Sequence, residues 1–210
     1  MCSSDLVSLL ARAPLFLSLH PKVPANTLAE FVAYAKANAG KLNYGSSGVG
    51  SIHHLSMVAL ADALKLDMTH VPFKGTGESV PALLGGHIEA LFSAYPSLSG
   101  AAAAKQVKLV AANSGARSAL APELPSIAEM IPGYDYAPIV GVYAKTGTPD
   151  AIASKLAAEI AAVAREADTI QRLSVVGVEA VGGDGAAHLK ALQAESDKLR
   201  PLLKLTGLVK

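Results

Sequence analysis

Tryptophan is absent from the 210 residues, aromatic residues make up only 5%, and the single cysteine is Cys2. One thiol excludes an intrachain disulfide and any metal site built on several cysteines. With so few rings, the core has to be assembled from Ala, Leu, Val and Ile, which the 51% apolar content supplies. Charge is scarce too. Lys and Arg number 18 against 17 Asp and Glu, a net charge of +1 with no basic cluster. That argues against nucleic acid as a partner, since such binding needs grouped positive charge. No apolar run reaches the roughly 18 residues that span a bilayer. The six histidines lack the H-E-x-x-H spacing of a zinc helix, and no cofactor is implied. Met1 to Leu6 has neither the positive start nor the apolar segment of a secretory signal. Those six residues match nothing in the pattern that follows and are expected to be a non-native scar.

What is present is an alternation of short apolar runs and helical periods. Val7–Leu10 and Leu15–Leu19 are predicted strands on either side of Ala13-Pro14. A helix follows, with Thr27 as N-cap and Glu30 completing a capping box, and Asn38-Ala39-Gly40 ends it. Strands are predicted at 42–44, 67–71, 87–93 and 107–112, with helices at 51–64, 78–84 and from Pro96 through Ala104. This spacing predicts right-handed βαβ units and a mostly parallel sheet. A Pro- and Gly-rich stretch, 116–136, holds one short helix at Ser126–Met130, and a strand follows at Ile139–Ala144. Beyond Pro149, expected at the first helical position, lie helices at 149–163, 169–175 and 186–203 and a strand at 179–181. That tail has little to pack on within its own length except the first residues. It is therefore expected to belong to a second lobe and to expose apolar surface.

The chain is organised around Tyr44-Gly45-Ser46-Ser47-Gly48-Val49-Gly50-Ser51, between a strand and the helix that carries His53 and His54. Glycines let backbone N–H groups crowd around one point. A helix N-terminus adds unpaired donors and a positive dipole end, which together favour an anion. His54, in the first helical turn, is placed to donate to that anion or to brace the loop, whereas His70, in an apolar strand, reads as structural. Ser46 and Ser47 raise a rival, a small α/β hydrolase-like enzyme using Ser46 or Ser47 with His54. The G-x-S-x-G elbow it would need is one residue short here. A P-loop is missing as well, because no Gly-Lys-Ser/Thr follows the glycines.

Residues 43–51 with His54-Leu55, then His70-Val71-Pro72-Phe73-Lys74-Gly75, begin an ordered series of motifs. Pro81 to Ile88, Phe92, Pro96-Ser97, Leu124 to Glu129, Pro132-Gly133-Tyr134, Gly147-Thr148-Pro149 and Val181-Gly182-Gly183 continue it. The series resembles the Bug-type solute-binding proteins of tripartite tricarboxylate transporters over roughly residues 7 to 206. The resemblance implies an α/β protein on the periplasmic-binding-protein type II plan, with one near-complete lobe (15–135) and a remnant of the other (1–14 and 136–210). It implies a periplasmic parent, a small carboxylate ligand and membrane components of the transporter as partners, and no enzymatic activity. Two facing loops, one per lobe, would hold the carboxylate. One maps onto Gly45, Ser46, Ser47, Gly48, Gly50 and Ser51, with His54, Phe73 and Ser93 at the rim. The other would lie upstream of residue 1, in about one further domain's worth of chain. Three positions depart from the pattern. Ser93 stands where an Asp is expected, Ile139 and Val140 replace an aromatic before Gly141, and Phe73 replaces a common Tyr.

Overall fold

The computed structural model describes residues 4–209; Cys2 and the rest of Met1–Ser3 lie outside them. The chain divides into two compact units, Pro14–Ala137 with Leu199–Lys210, and Met1–Ala13 with Pro138–Lys198.

The larger unit holds strands β2 (Leu15–Leu19), β3 (Leu42–Ser46), β4 (Met68–Pro72), β5 (Ala90–Ala94) and β6 (Lys108–Ala112) in one sheet, ordered β4-β3-β5-β2-β6. Its helices are α1 (Leu28–Ala37), α2 (Ile52–Leu64), α3 (Thr76–Leu84) and α4 (Tyr95–Ala103). The predicted parallel sheet is found in β4, β3 and β5, but β2 runs antiparallel to both β5 and β6. The helical crossover from β5 to β6 leaves a gap one strand wide, and β2, which precedes every helix, fills it from the opposite direction. The expected strand at 87–93 begins only at Ala90, because Gly85, Gly86 and exposed His87 close the helix before it in a turn.

Alternation along β5 sends side chains to two helical layers. Ala90 and Phe92 join Phe31, Met57 and Leu60 in the larger core. Leu91 meets Leu83, Ile88 and Leu98 in the other. Thr27 caps α1 by accepting from Glu30 N–H at 3.2 Å. The Glu30 carboxylate, however, accepts from Asn26 N–H at 2.6 Å, one residue upstream of the reciprocal bond a capping box would make.

Glu89 locks the start of β5 to β3. Its carboxylate accepts from Asn43 N–H at 2.7 Å and lies 2.6 Å from the Lys22 ammonium. Burial pushes its pKa up, but the bonds from Lys22 and Asn43 outweigh burial and leave it below the ordinary value. A depressed pKa means the contribution is complete above the ordinary carboxylate range and is lost as pH falls through the folded value. We expect E89Q to lower stability by about 1–2 kcal/mol near pH 7 and by progressively less as pH falls through the folded pKa of Glu89, read by urea unfolding at neutral and acidic pH. An equal loss at both would refute the ionic origin of the effect.

The smaller unit is an antiparallel sheet, β7-β1-β8, of β1 (Ser4–Arg12), β7 (Ile139–Lys145) and β8 (Glu179–Asp184). Leu6 pairs with Tyr143 inside this ladder, so residues 4–6, expected as a scar matching nothing in the pattern, take part in the fold. Helices α5 (Asp150–Val163) and α6 (Ala167–Val175) follow β7, with Pro149 as the N-cap of α5 instead of its first helical residue. Neither helix contains a buried residue; Ile152, Leu156, Val163 and Ile170 are exposed, and Val175 reaches 72%. Helix α7 (Gly185–Leu205) is longer than expected. His188 is fully buried, and its Cε1 lies 1.9 Å from where a Cβ on Gly141 would stand. Only glycine leaves room for that ring. Residues 199–210 group with the larger unit, although the tail texture placed all of 136–210 together; Leu202 is buried in the larger core.

Candidate anion-binding loop

Strand β3 ends at Ser46 and α2 starts at Ile52, so the loop leaves the carboxyl end of the parallel strands, where ligands of open α/β sheets gather. Ser51 caps the helix, accepting from His54 N–H at 3.3 Å, and its hydroxyl donates to Gly48 O at 2.7 Å. Such a cap is worth about 1 kcal/mol. Gly48 at φ +125 and Gly50 at φ +78 adopt backbone that L side chains rarely enter. There is no acidic residue in the first turn of α2 to oppose an anion.

The loop is held from beneath by its own side chains. Ser46 is fully buried, not lining open space as expected, and its hydroxyl lies 2.7 Å from His70 Nε2 while accepting from Gly48 N–H at 3.1 Å. Half-buried Ser47 lies 2.7 Å from His53 Nδ1. Gly50 N–H donates to His54 Nδ1 at 3.1 Å, so neutral His54 carries its proton on Nε2 and braces the loop. Tyr44, His70 and His54 stack: the two imidazoles are 3.9 Å apart and 10° from parallel, with Tyr44 5.0 Å from His70. Burial, and then the neighbouring His54, bring the His70 pKa down to about 4; burial alone lowers His53 and His54. All three are uncharged at neutral pH.

Gly45 is buried in β3, its missing Cβ position 2.5 Å from Ile88 Cδ1 and 3.3 Å from the Phe73 ring. Phe73 is half-buried just past β4, and its N–H donates to Ser46 O at 3.0 Å. Ser93 lies at the carboxyl end of β5, two residues past Leu91, the register partner of Gly45. Its hydroxyl is buried, with no hydrogen-bond partner among the described residues. Of the predicted residues, Ser47, Gly48, Gly50 and Ser51 form the half-buried rim, whereas Gly45, Ser46, His54 and Ser93 are buried. The proposed Ser–His54 pairing of a hydrolase is not formed, because the hydroxyls meet His70 and His53 instead. Those two histidines were not singled out as site residues. His70 had one available signal: it stands two residues after Met68 as Tyr44 stands two after Leu42, and β3 and β4 pair in that register. A cleft of about 610 Å³ elsewhere on this unit, lined by Asn26, Tyr95, Ser99, Lys105 and Lys108 among others, contains none of the loop residues.

Residues 3–208 match the tripartite tricarboxylate transporter family receptor. The chain belongs to this family. Among solved structures it is similar to R. palustris Rpa4515 with adipate, at 28% identity and a TM-score of 0.84, covering 98% of this chain and 69% of that one. MatC from Rhodopseudomonas palustris, with bound malate, matches at 26% identity and a TM-score of 0.76, over 95% and 69% of the two chains. Protein BugT of Bordetella pertussis is 30% identical over 145 residues, 68% of this chain and 44% of its own length. A UPF0065 protein of Pseudomonas sp. strain P51 is 28% identical over 86% of this chain and 56% of its own. The chain thus spans about half the length of the curated relatives it matches. Family and fold are those of Bug-type solute-binding proteins, and solved structures with this fold include the periplasmic binding protein BugD.

Proposed function

We propose that this chain forms part of a periplasmic receptor for a small organic carboxylate that serves a tripartite tricarboxylate transporter. The observation that carries this reading is the 47–51 loop. Ser47, Gly48, Gly50 and Ser51 lie over the N-terminus of α2, where their internal bonds and a brace of uncharged side chains shape the loop, with no acidic side chain in that first turn. Such an array favours an anion. The adipate and malate in the two solved relatives support a carboxylate as that anion. Ser47 and His53 form a hydroxyl–imidazole pair, but a nucleophile also needs a third group that orients its base, and none is seen on His53 among the described residues.

The test is a titration of adipate and malate into ¹⁵N-labelled chain, followed by amide chemical shifts. Shifts should concentrate on residues 47–53 and saturate in the millimolar range. Gly48→Ala places an L side chain at φ +125 and should weaken the response more than tenfold. Shifts centred on Lys105 and Lys108, or none at tens of millimolar, would overturn the assignment.

A further inference from the structure

Resting on this receptor reading, one bond in the loop stands apart from the others. The Gly50 N–H ends on an imidazole nitrogen, His54 Nδ1, at 3.1 Å. An acceptor of that kind disappears when it takes a proton. Every other recorded loop bond from a backbone N–H ends on a hydroxyl or carbonyl oxygen, which stays an acceptor across the accessible pH range: Gly48 N–H on Ser46, His54 N–H on Ser51, Ser51 N–H on Gly48. His54 also has no freedom to turn its other nitrogen toward Gly50. The ring is only 5% exposed and lies flat against His70 at 3.9 Å.

We propose that His54 is the positioning residue of the anion loop, a latch that holds the Gly50 N–H while neutral and releases it, with the loop's binding geometry, when Nδ1 is protonated. The glycine makes the release effective. At φ +78 Gly50 adopts a conformation that glycine enters and leaves at little cost, so the His54 bond selects it. The titratable groups meeting His54 are His70 from β4, Tyr44 from β3 and His53 beside it on α2. Strand β5, also packed against α2, brings Ala90, Leu91, Phe92 and Ser93, none of them ionisable. Among these described groups there is no carboxylate to stabilise a proton on the pair, and two charged imidazoles at 3.9 Å repel. Burial lowers the His54 pKa from its ordinary value, so the latch is closed at neutral pH and opens only below the usual imidazole range.

Asparagine separates this role from simple packing, since its side-chain oxygen can occupy the position of Nδ1 and never takes a proton there. Glutamine and phenylalanine supply no acceptor at that place. The experiment is ¹⁵N NMR of the intact chain. At pH 7 the His54 Nδ1 should show the unprotonated signature and a through-hydrogen-bond coupling to Gly50 nitrogen. On acidification that coupling should vanish in step with the His54 ring titration, and the Gly50 protection factor, its exchange rate relative to the intrinsic rate at the same pH, should fall at least tenfold. H54N should keep Gly50 protected and abolish the acid step; H54F should lose the protection at every pH. The proposal is overturned if Gly50 protection is unchanged in H54F, if H54N behaves like H54F, or if the acid step persists in H54N and follows His70 instead. Carboxylate titrations of the same samples separate the two readings. A closed latch with no carboxylate response leaves the latch standing and removes the receptor assignment.

Discussion

Asn113→Ala should destabilise the larger unit by about 3–5 kcal/mol, with the midpoint of urea unfolding falling and its slope unchanged. Asn113 is fully buried at the end of β6. Its side-chain oxygen accepts from Leu15 N–H at 2.8 Å, and its amide donates to Tyr136 O at 2.9 Å and to the Ser56 hydroxyl at 3.2 Å. Its backbone adds two more bonds, to Leu15 O and from Tyr136 N–H. One side chain thus ties together the start of β2, helix α2 and the chain's return at residue 136. Alanine removes three hydrogen bonds and strands a buried N–H and a buried carbonyl, each costing about 1–3 kcal/mol when unpaired. Because domains of this size are stable by only about 5–15 kcal/mol, N113A should be partly unfolded at 37 °C. A loss under 1 kcal/mol would show that water or a neighbour replaces these bonds.

The second large effect concerns affinity. Calorimetry with adipate or malate is expected to show no saturable binding to this 210-residue chain below about 1 mM. The family resemblance implies two facing donor loops, and this chain covers 69% of the adipate-bound relative. On that plan the 47–51 loop is one of the two facing sets. A charge-assisted hydrogen bond contributes about 1.5–3 kcal/mol, and enclosure strengthens each by excluding water. Losing two or three, at tenfold per about 1.4 kcal/mol, turns micromolar binding into millimolar. A longer product that adds the second loop should tighten binding by about a thousandfold. Micromolar binding by the chain alone would mean that the loop is a complete site.

Much of this fold was legible because its signals are local. Ser51, the glycines at 48 and 50 and the apolar spacing from Ile52 announced a strand, a tight loop and a helix in that order, and the structure has them there. Thr27 was legible as a cap for the same reason. What the chain concealed depends on residues far apart. Nothing around Ser46 indicates that its partner is His70, and nothing around Asn113 that it reaches Leu15. The reversed direction of β2 was hidden too, since its all-buried pattern suits a central strand of either sense. His54 was recognised as a loop residue, but which of its nitrogens faces the loop is a matter of packing against His70.

The central placement of β2 bears on the order in which the larger unit is built. Ser18 bonds to Leu91, 73 residues on, and Leu15 to Asn113, 98 residues on. Strand β2 thus precedes both of its sheet neighbours in the chain and is the last strand to gain them. Contacts so distant along the chain close slowly, because a long loop must be ordered before they reward it. Strands β3 and β4, joined through α2, have no such delay, so they and the anion loop between them should assemble early and wait. During that wait Leu15-Phe16-Leu17-Ser18-Leu19, every residue of which ends up buried, is an apolar strand with two open edges. Refolding yield should therefore fall as protein concentration rises, and the lost material should be paired through β2.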